Sequence, residues 1–105
     1  MLDTTPLIQA VDRFADRLRS APQSRLQRGA AAEALAAARE LAVRAQRLEH
    51  PDAEPRELPD AGMFAVGDQV AVAGRDLAVA LETASSQELE EAVRYVGEAA
   101  ARTFA

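Results

Sequence analysis

The stretch between residues 23 and 49 constrains the fold more than any other part of the chain. Leu26, Ala30, Ala34, Ala37, Leu41, Ala45 and Leu48 recur at spacings of three and four, the period of one helix face. Leu35, Ala38 and Ala42 broaden that face on one side. Starting near Gln23 or Ser24 and ending near Glu49, such a helix has about 26 residues and a length of about 39 Å. Gly29 is the one weak point, at a cost of up to ~1 kcal/mol relative to alanine, so the spacing predicts an unbroken helix.

Most of that contact face is alanine. Over the whole chain alanine supplies 25 residues, and Leu, Ile, Val, Phe and Met together supply another 25. Alanine favours helix but removes little apolar area from water. Either the helices approach one another closely or a second copy of the chain contributes core, so a homodimer is one expected state. The 105 residues suffice for one compact domain, expected to span 1–105.

Three further helical segments are predicted. In the first, Thr5 is a candidate N-cap with Pro6 in the first helical position. Leu7, Val11, Phe14 and Leu18 make its apolar face, and Ser20-Ala21-Pro22 ends it, because proline disfavours helical geometry in the residue before it. The third segment runs from Ala61 to Thr83, with Asp60 as candidate N-cap and Met63, Val66, Val70, Ala73, Leu77 and Leu81 at helical spacing. Phe64, Val66, Val70 and Val72 also fit a period of two, so a β-hairpin competes there; two isolated strands would have no sheet to join, which favours helix. As a helix, this segment places Gly67, Ala71 and Gly74 where a neighbouring helix could come close. The fourth begins with Ser85 and Glu88, a capping box, and carries Leu89, Val93, Val96, Ala100 and Thr103, with Phe104 anchoring its end.

Between the second and third segments lies His50 to Asp60, with Pro51, Pro55 and Pro59. Proline at every fourth position forbids helix and favours extended backbone, which makes this an eleven-residue strap longer than ordinary bundle connections. The expected fold is all-α: an antiparallel up-down four-helix bundle of two helical hairpins joined by the strap.

Several chemistries lack their residues. There is no cysteine, hence no disulfide and no thiolate metal site. No phosphate-cradling glycine loop, nucleophile elbow or zinc-binding His-Glu-x-x-His motif occurs, and His50 is the sole histidine. His50, Asp52 and Glu54 alternate along the strap, but alternating polar residues in a proline-rich loop read first as solvated side chains. The N-terminus lacks the pattern of a signal peptide and no stretch is long and apolar enough to span a membrane, so a cytoplasmic location and no membrane partner are expected. Tyr95 reads as a boundary packing residue, and Glu88, Glu90 and Glu91 as charge favouring a helix start. No cofactor, metal site or catalytic residue is expected from this inventory.

Arg44-Ala45-Gln46-Arg47-Leu48-Glu49-His50 resembles the Arg-to-His motif of the HEPN ribonucleases, which are also helical bundles. The resemblance covers seven residues, with Ala45 where the family commonly carries a polar residue. It implies an RNA-directed nuclease in which Arg44 and His50 act on the phosphodiester. Read from the residues alone, Arg44 and Arg47 are last-turn cations that favour a helix C-terminus, and His50 marks that end before Pro51.

Charge is uneven. Residues 1–50 hold eight Arg against six acids, for +2, whereas residues 51–105 hold four Arg against eleven acids, for −7. All twelve basic residues are Arg, with no Lys, which we read as codon bias of a GC-rich genome. Arg17, Arg19, Arg25 and Arg28 form the one basic concentration, around the first turn. An anion contact, ion pairs within the chain and pairing with an acidic subunit face are the readings open there. The overall charge of −5 and the lack of interleaved aromatic residues speak against nucleic acid as a partner. The function expected is a non-enzymatic helical protein-interaction module, a small regulator or accessory subunit. Its candidate interaction surface is Arg17, Arg19, Arg25, Arg28, Gly67, Ala71 and Gly74; the alternative is the HEPN-like nuclease.

Overall fold

Helical periodicity governs the chain on both sides of the strap in the computed structural model, which describes all residues from Met1 to Ala105. Four helices form: α1 (Thr5–Arg19), α2 (Ala31–Glu49), α3 (Val66–Leu81) and α4 (Ser86–Thr103). A short helical turn, Gln23–Arg25, and a wide turn, Leu26–Ala30, precede α2. No strand is present, so the segment that could have been a hairpin is α3. The helices pack as an all-α bundle, chiefly α2 with α3 and α1 with α3, and then α1 and α2 with α4.

The long second segment is interrupted where a single helix was expected. Gly29 has φ +144°, a conformation that L side chains rarely adopt, and the chain turns there before α2 proper begins. Glycine was therefore a backbone requirement at this position, beyond a small loss of helix propensity. The expected apolar stripe survives the turn: Leu26, Ala30, Ala34, Ala37, Leu41 and Ala45 are buried, and Leu48 alone lies partly open.

Helix starts differ from the expected caps in two places. Thr5 is already helical; its side chain first, and then its amide, which donates to Asp3 Oδ1 at 3.0 Å, hold the Asp3 carboxyl below its ordinary range. Asp60 does not cap α3; its Oδ1 accepts from the Gly62 amide at 2.9 Å in a local turn, Gly62 takes φ +96°, and the helix starts only at Val66. At α4 the expected cap forms, with the Glu88 amide donating to Ser85 Oγ at 3.1 Å.

The strap is ordered by side chains that bond its backbone. Arg39 Nε donates to the Leu58 carbonyl at 2.8 Å and Gln69 Nε2 to the Pro59 carbonyl at 2.8 Å. Gln46 bonds both polar backbone groups of Arg56, donating to its carbonyl at 3.0 Å and accepting from its amide at 2.7 Å. Leu58 tucks against the core. Lying along α2 in this way, the strap returns the chain to the end from which α2 started. Leu35 and Arg39 thus share a cleft with Val66 and Gln69, while Leu48 shares another with Leu77 and Leu81. The expected hairpins do not pair directly: α1 and α2 each pack on α3 and α4 more than on one another, and α2 and α3 run parallel, because the connection crosses over instead of turning tightly.

One cluster of 21 buried residues forms the core. Leu7, Val11, Phe14 and Leu18 of α1 are all in it, as their spacing predicts. On α4 the buried row is Ala92, Val96, Ala99 and Thr103, so the helix is rotated slightly from the Leu89/Val93 side. Thr103 satisfies its hydroxyl by donating to the Ala99 carbonyl at 2.7 Å. Phe104 anchors the C-terminal end edge-on against Phe14, with centroids 6.4 Å apart.

Gly74 sets the spacing between α1 and α3. A Cβ there would lie 2.4 Å from Val11 Cγ1, and one at Gly67 would lie 3.0 Å from Arg19 Cγ and 3.2 Å from the Ala15 carbonyl. At Gly97, on the open side of α4, nothing lies within 4 Å. Gly74→Ala is therefore expected to destabilise by about 1–3 kcal/mol through overpacking, whereas Gly97→Ala stabilises by up to ~1 kcal/mol through helix propensity. Urea unfolding of the two variants measures both, and the opposite signs are the test. For the strap, Gln46→Ala should cost about 1 kcal/mol or somewhat more, with faster hydrogen exchange at the Arg56 amide and little change at the centre of α2.

Candidate functional site

The basic corner expected from sequence divides on folding. Arg19 is committed inside the chain: its Nη2 donates to Asp68 Oδ1 at 2.7 Å and its Nη1 to Asp16 Oδ1 at 3.1 Å. The bond to Asp68, foremost, raises the affinity of Arg19 for its proton. Arg17 lies with its guanidinium carbon 4.0 Å from the centroid of the Phe104 ring, and Arg25 approaches the same ring at 5.8 Å. Arg25 Nη2 also donates to the Phe104 carbonyl at 2.8 Å. Arg28 donates only to the Ser24 carbonyl, at 3.3 Å. Arg17, Arg25 and Arg28 thus gather around the end of α4, and none of them forms an ion pair with a carboxylate side chain.

Gly67 and Gly74 are buried against α1 of the same chain and present no surface to a partner, and Ala71 is half-buried beside them. The close approach their spacing predicts is intramolecular. The outward side of the same helix is different. Val72 and Val79 are 63% and 65% exposed, and Phe64, just before the helix, is 75% exposed. A shallow cleft beside Val72 is lined by Ala42, Leu58, Ala65 and Ala73, with Asp68 and Asp76 on its border. A larger open cleft of about 630 Å³ meets Val79 and carries Glu49, His50, Glu57 and Asp76 against the single Arg56. Val72 and Val79 lie seven residues apart, two helical turns, and that spacing was the available signal for this face; Val72 had fitted the strand pattern instead.

Arg44 and His50 are placed apart in their surroundings. Arg44 Nε donates to Glu40 Oε2 at 2.6 Å, and its guanidinium carbon sits 4.6 Å from the centroid of Tyr95, on the α4 side of α2. His50 lies just beyond the end of α2 and lines the cleft on the strap side, where Arg44 does not reach. Asp52 and Glu54 do not assemble with His50, and no group of three His, Asp or Glu side chains comes together to hold a metal. No helix is long and apolar enough to cross a membrane.

Tyr95 is flanked by Arg44 and by Arg102, whose guanidinium carbon is 5.8 Å from the ring centroid. Burial raises its pKa, with Glu40 adding to the effect against the two arginines. Neutral Tyr95 therefore contributes stability that is fully present below the ordinary tyrosine range and is lost as the pH rises through the folded-state value. Ultraviolet titration of the phenol should show a midpoint above the ordinary tyrosine value, and Tyr95→Phe should remove that component of alkaline destabilisation.

Compared with known protein families, with characterised proteins and with solved structures, this chain has no significant match.

Proposed function

We propose that this chain is a non-enzymatic helical protein-interaction module, a small regulator or accessory subunit, that receives a protein partner on the outward face of α3. The carrying observation is the pair Val72 and Val79, each more than 60% exposed on one side of a helix whose opposite side is fully packed. Valine is a weaker helix former than alanine, arginine or glutamate, so two exposed valines contribute nothing to the isolated helix that those residues would not supply better. Together with the cleft beside Leu58 they make an apolar strip with acidic borders, Asp68 and Asp76 on one cleft and Glu49 and Glu57 on the next. A partner helix with an apolar stripe and flanking cations complements such a strip in shape and charge.

Val72→Asp with Val79→Asp tests this reading without touching the core. Both positions are open to solvent, so the melting temperature should stay within a few degrees of the parent. Light scattering on a sizing column at low and high salt, together with recovery of co-purifying protein from native lysate, should show an assembly. Its affinity should fall at least tenfold in the double variant. A parent chain that is monomeric at micromolar concentration, with every co-purifying protein retained equally by the variant, overturns the reading.

A further inference from the structure

At the end of the bundle opposite the α3–α4 turn, an open cleft of about 570 Å³ lies between the start of α2 and the end of α4. Its lining includes Arg25, Arg28 and Arg102, with Gly29, Ala30 and Ala32 as small neighbours. We propose that this cleft binds a small phosphate-bearing anion, with the three guanidinium groups as its ligands. The inference is independent of the outward face of α3 and does not rest on the interaction reading.

The first argument is charge pairing. The chain has 17 acids for 12 arginines, so carboxylates are available in excess. Arg19, Arg39, Arg44 and Arg75 each take one within 3.2 Å. Seven arginines take no acidic side chain, and two of them, Arg25 and Arg28, share this cleft with Arg102, which reaches Glu33 only at 4.0 Å. Glu33 is the one acidic side chain lining this cleft, set against three cations. Arg17, held over Phe104 next to Arg25, adds a fourth positive charge close by.

The second argument is preorganisation. Arg25 is fixed by its bond to the Phe104 carbonyl at 2.8 Å, with a longer contact to the Ala105 carbonyl oxygen at 3.4 Å, and by the Phe104 ring. Arg28 is tethered through Nε to the Ser24 carbonyl at 3.3 Å, so its terminal N–H groups stay unengaged. Arginines already held in place lose less conformational freedom on binding. The turn at Gly29 bends the chain between Arg28 and α2, and a Cβ there would meet nothing within 4 Å, so the cleft is not filled by its own wall.

The third argument selects the ligand. Three guanidinium groups from two separate segments suit an anion with three or more acceptor oxygens, which a phosphate has and a lone carboxylate lacks. The cleft lies within the roughly 300–1,000 Å³ of small-molecule sites. A long polyanion is disfavoured: residues 51–105 carry four Arg against eleven acids, and the Phe104 ring that could stack a base is attended by Arg17 and Arg25.

The test is a titration of the full chain with inorganic phosphate and with pyrophosphate, at constant ionic strength balanced with chloride, followed by NMR of the Gly29 amide and arginine Nε–H groups. Saturable shifts confined to Arg25, Arg28, Arg102 and Gly29 are expected. Arg28→Ala and Arg102→Ala should each weaken binding about tenfold, while Arg28→Lys recovers only part of the loss. Arg13→Ala, an exposed arginine without an ion pair elsewhere on α1, should bind as the parent does. Arg28 and Arg102 are both exposed, and unchanged far-ultraviolet dichroism verifies that the variants fold. Pyrophosphate binding more tightly than phosphate would identify a diphosphate group as the better occupant, and the reverse order a monophosphate; either supports the site. Non-saturating shifts, or equal loss in Arg13→Ala, overturn it. A short RNA that binds through the same arginines more tightly than pyrophosphate, with a steep salt dependence, also overturns it by making the occupant a polyanion.

Discussion

The closeness of α1 to α3 is the constraint on which the other contacts depend. Val11 seats its side chain against Gly74, where any β-carbon would collide with it, and Gly67 meets Ala15 and Arg19 one heptad earlier. At that separation Leu7, Val11, Phe14 and Leu18 all reach the shared core, Arg19 of α1 reaches Asp68 of α3, and Arg75 of α3 reaches Asp12 of α1. A chain in which alanine is as common as Leu, Ile, Val, Phe and Met together has little side-chain volume with which to bridge wider gaps. Close backbone approach substitutes for bulk.

The same logic explains why α2 tolerates so many alanines. Its buried face alternates Leu41 with Ala34, Ala37, Ala38 and Ala45, and the larger volume comes from across the interface, from Val70, Leu77 and Leu81 of α3. The strap closes the side of this pair with Leu58 and leaves its polar backbone satisfied by Arg39, Gln46 and Gln69. Gln69 meets this role with one end of its amide only; its Oε1 is buried without a partner, and a buried acceptor of that kind costs about 1–3 kcal/mol.

Much of the fold was legible in the sequence because apolar spacing and core burial are one property seen twice. Leu7 to Leu18 in α1, Leu26 to Ala45 around α2, and Val66 to Leu81 in α3 are buried where their periods place them. What the sequence hid depends on distant geometry. Gly29 looked like a residue with a propensity penalty, because nothing local distinguishes a glycine tolerated in a helix from one that turns the chain. Asp60 and Thr5 had the right chemistry for caps, but Asp60 bonds Gly62 and Thr5 is bonded by Asp3, so each cap shifted along the chain. The direction of α3 relative to α2 was set by side-chain bonds to the strap that no local pattern announces. For the candidate sites the limit is sharper. Arg19 and Arg28 are indistinguishable in sequence, yet Asp68 claims the first, 49 residues away, and Arg102 joins the second from the far end of the chain.

The Arg19–Asp68 pair, exposed as it is, is matched to the two helix ends that it joins. Arg19 stands in the last turn of α1, where carbonyl groups make the helix end negative, and Asp68 in the first turn of α3, where amide groups make it positive. Each charge therefore complements its own helix, and the two complement each other. A bundle assembled with α3 reversed would separate them and bring the Leu81–Glu82 end of α3 beside Arg19, while the seven-residue repeat of Gly67 and Gly74 would no longer match Ala15 and Val11. The pair acts as a polarity mark, telling one helix which way its neighbour must point, and a chain built from so much featureless alanine needs such marks to fold into one arrangement among several of similar packing.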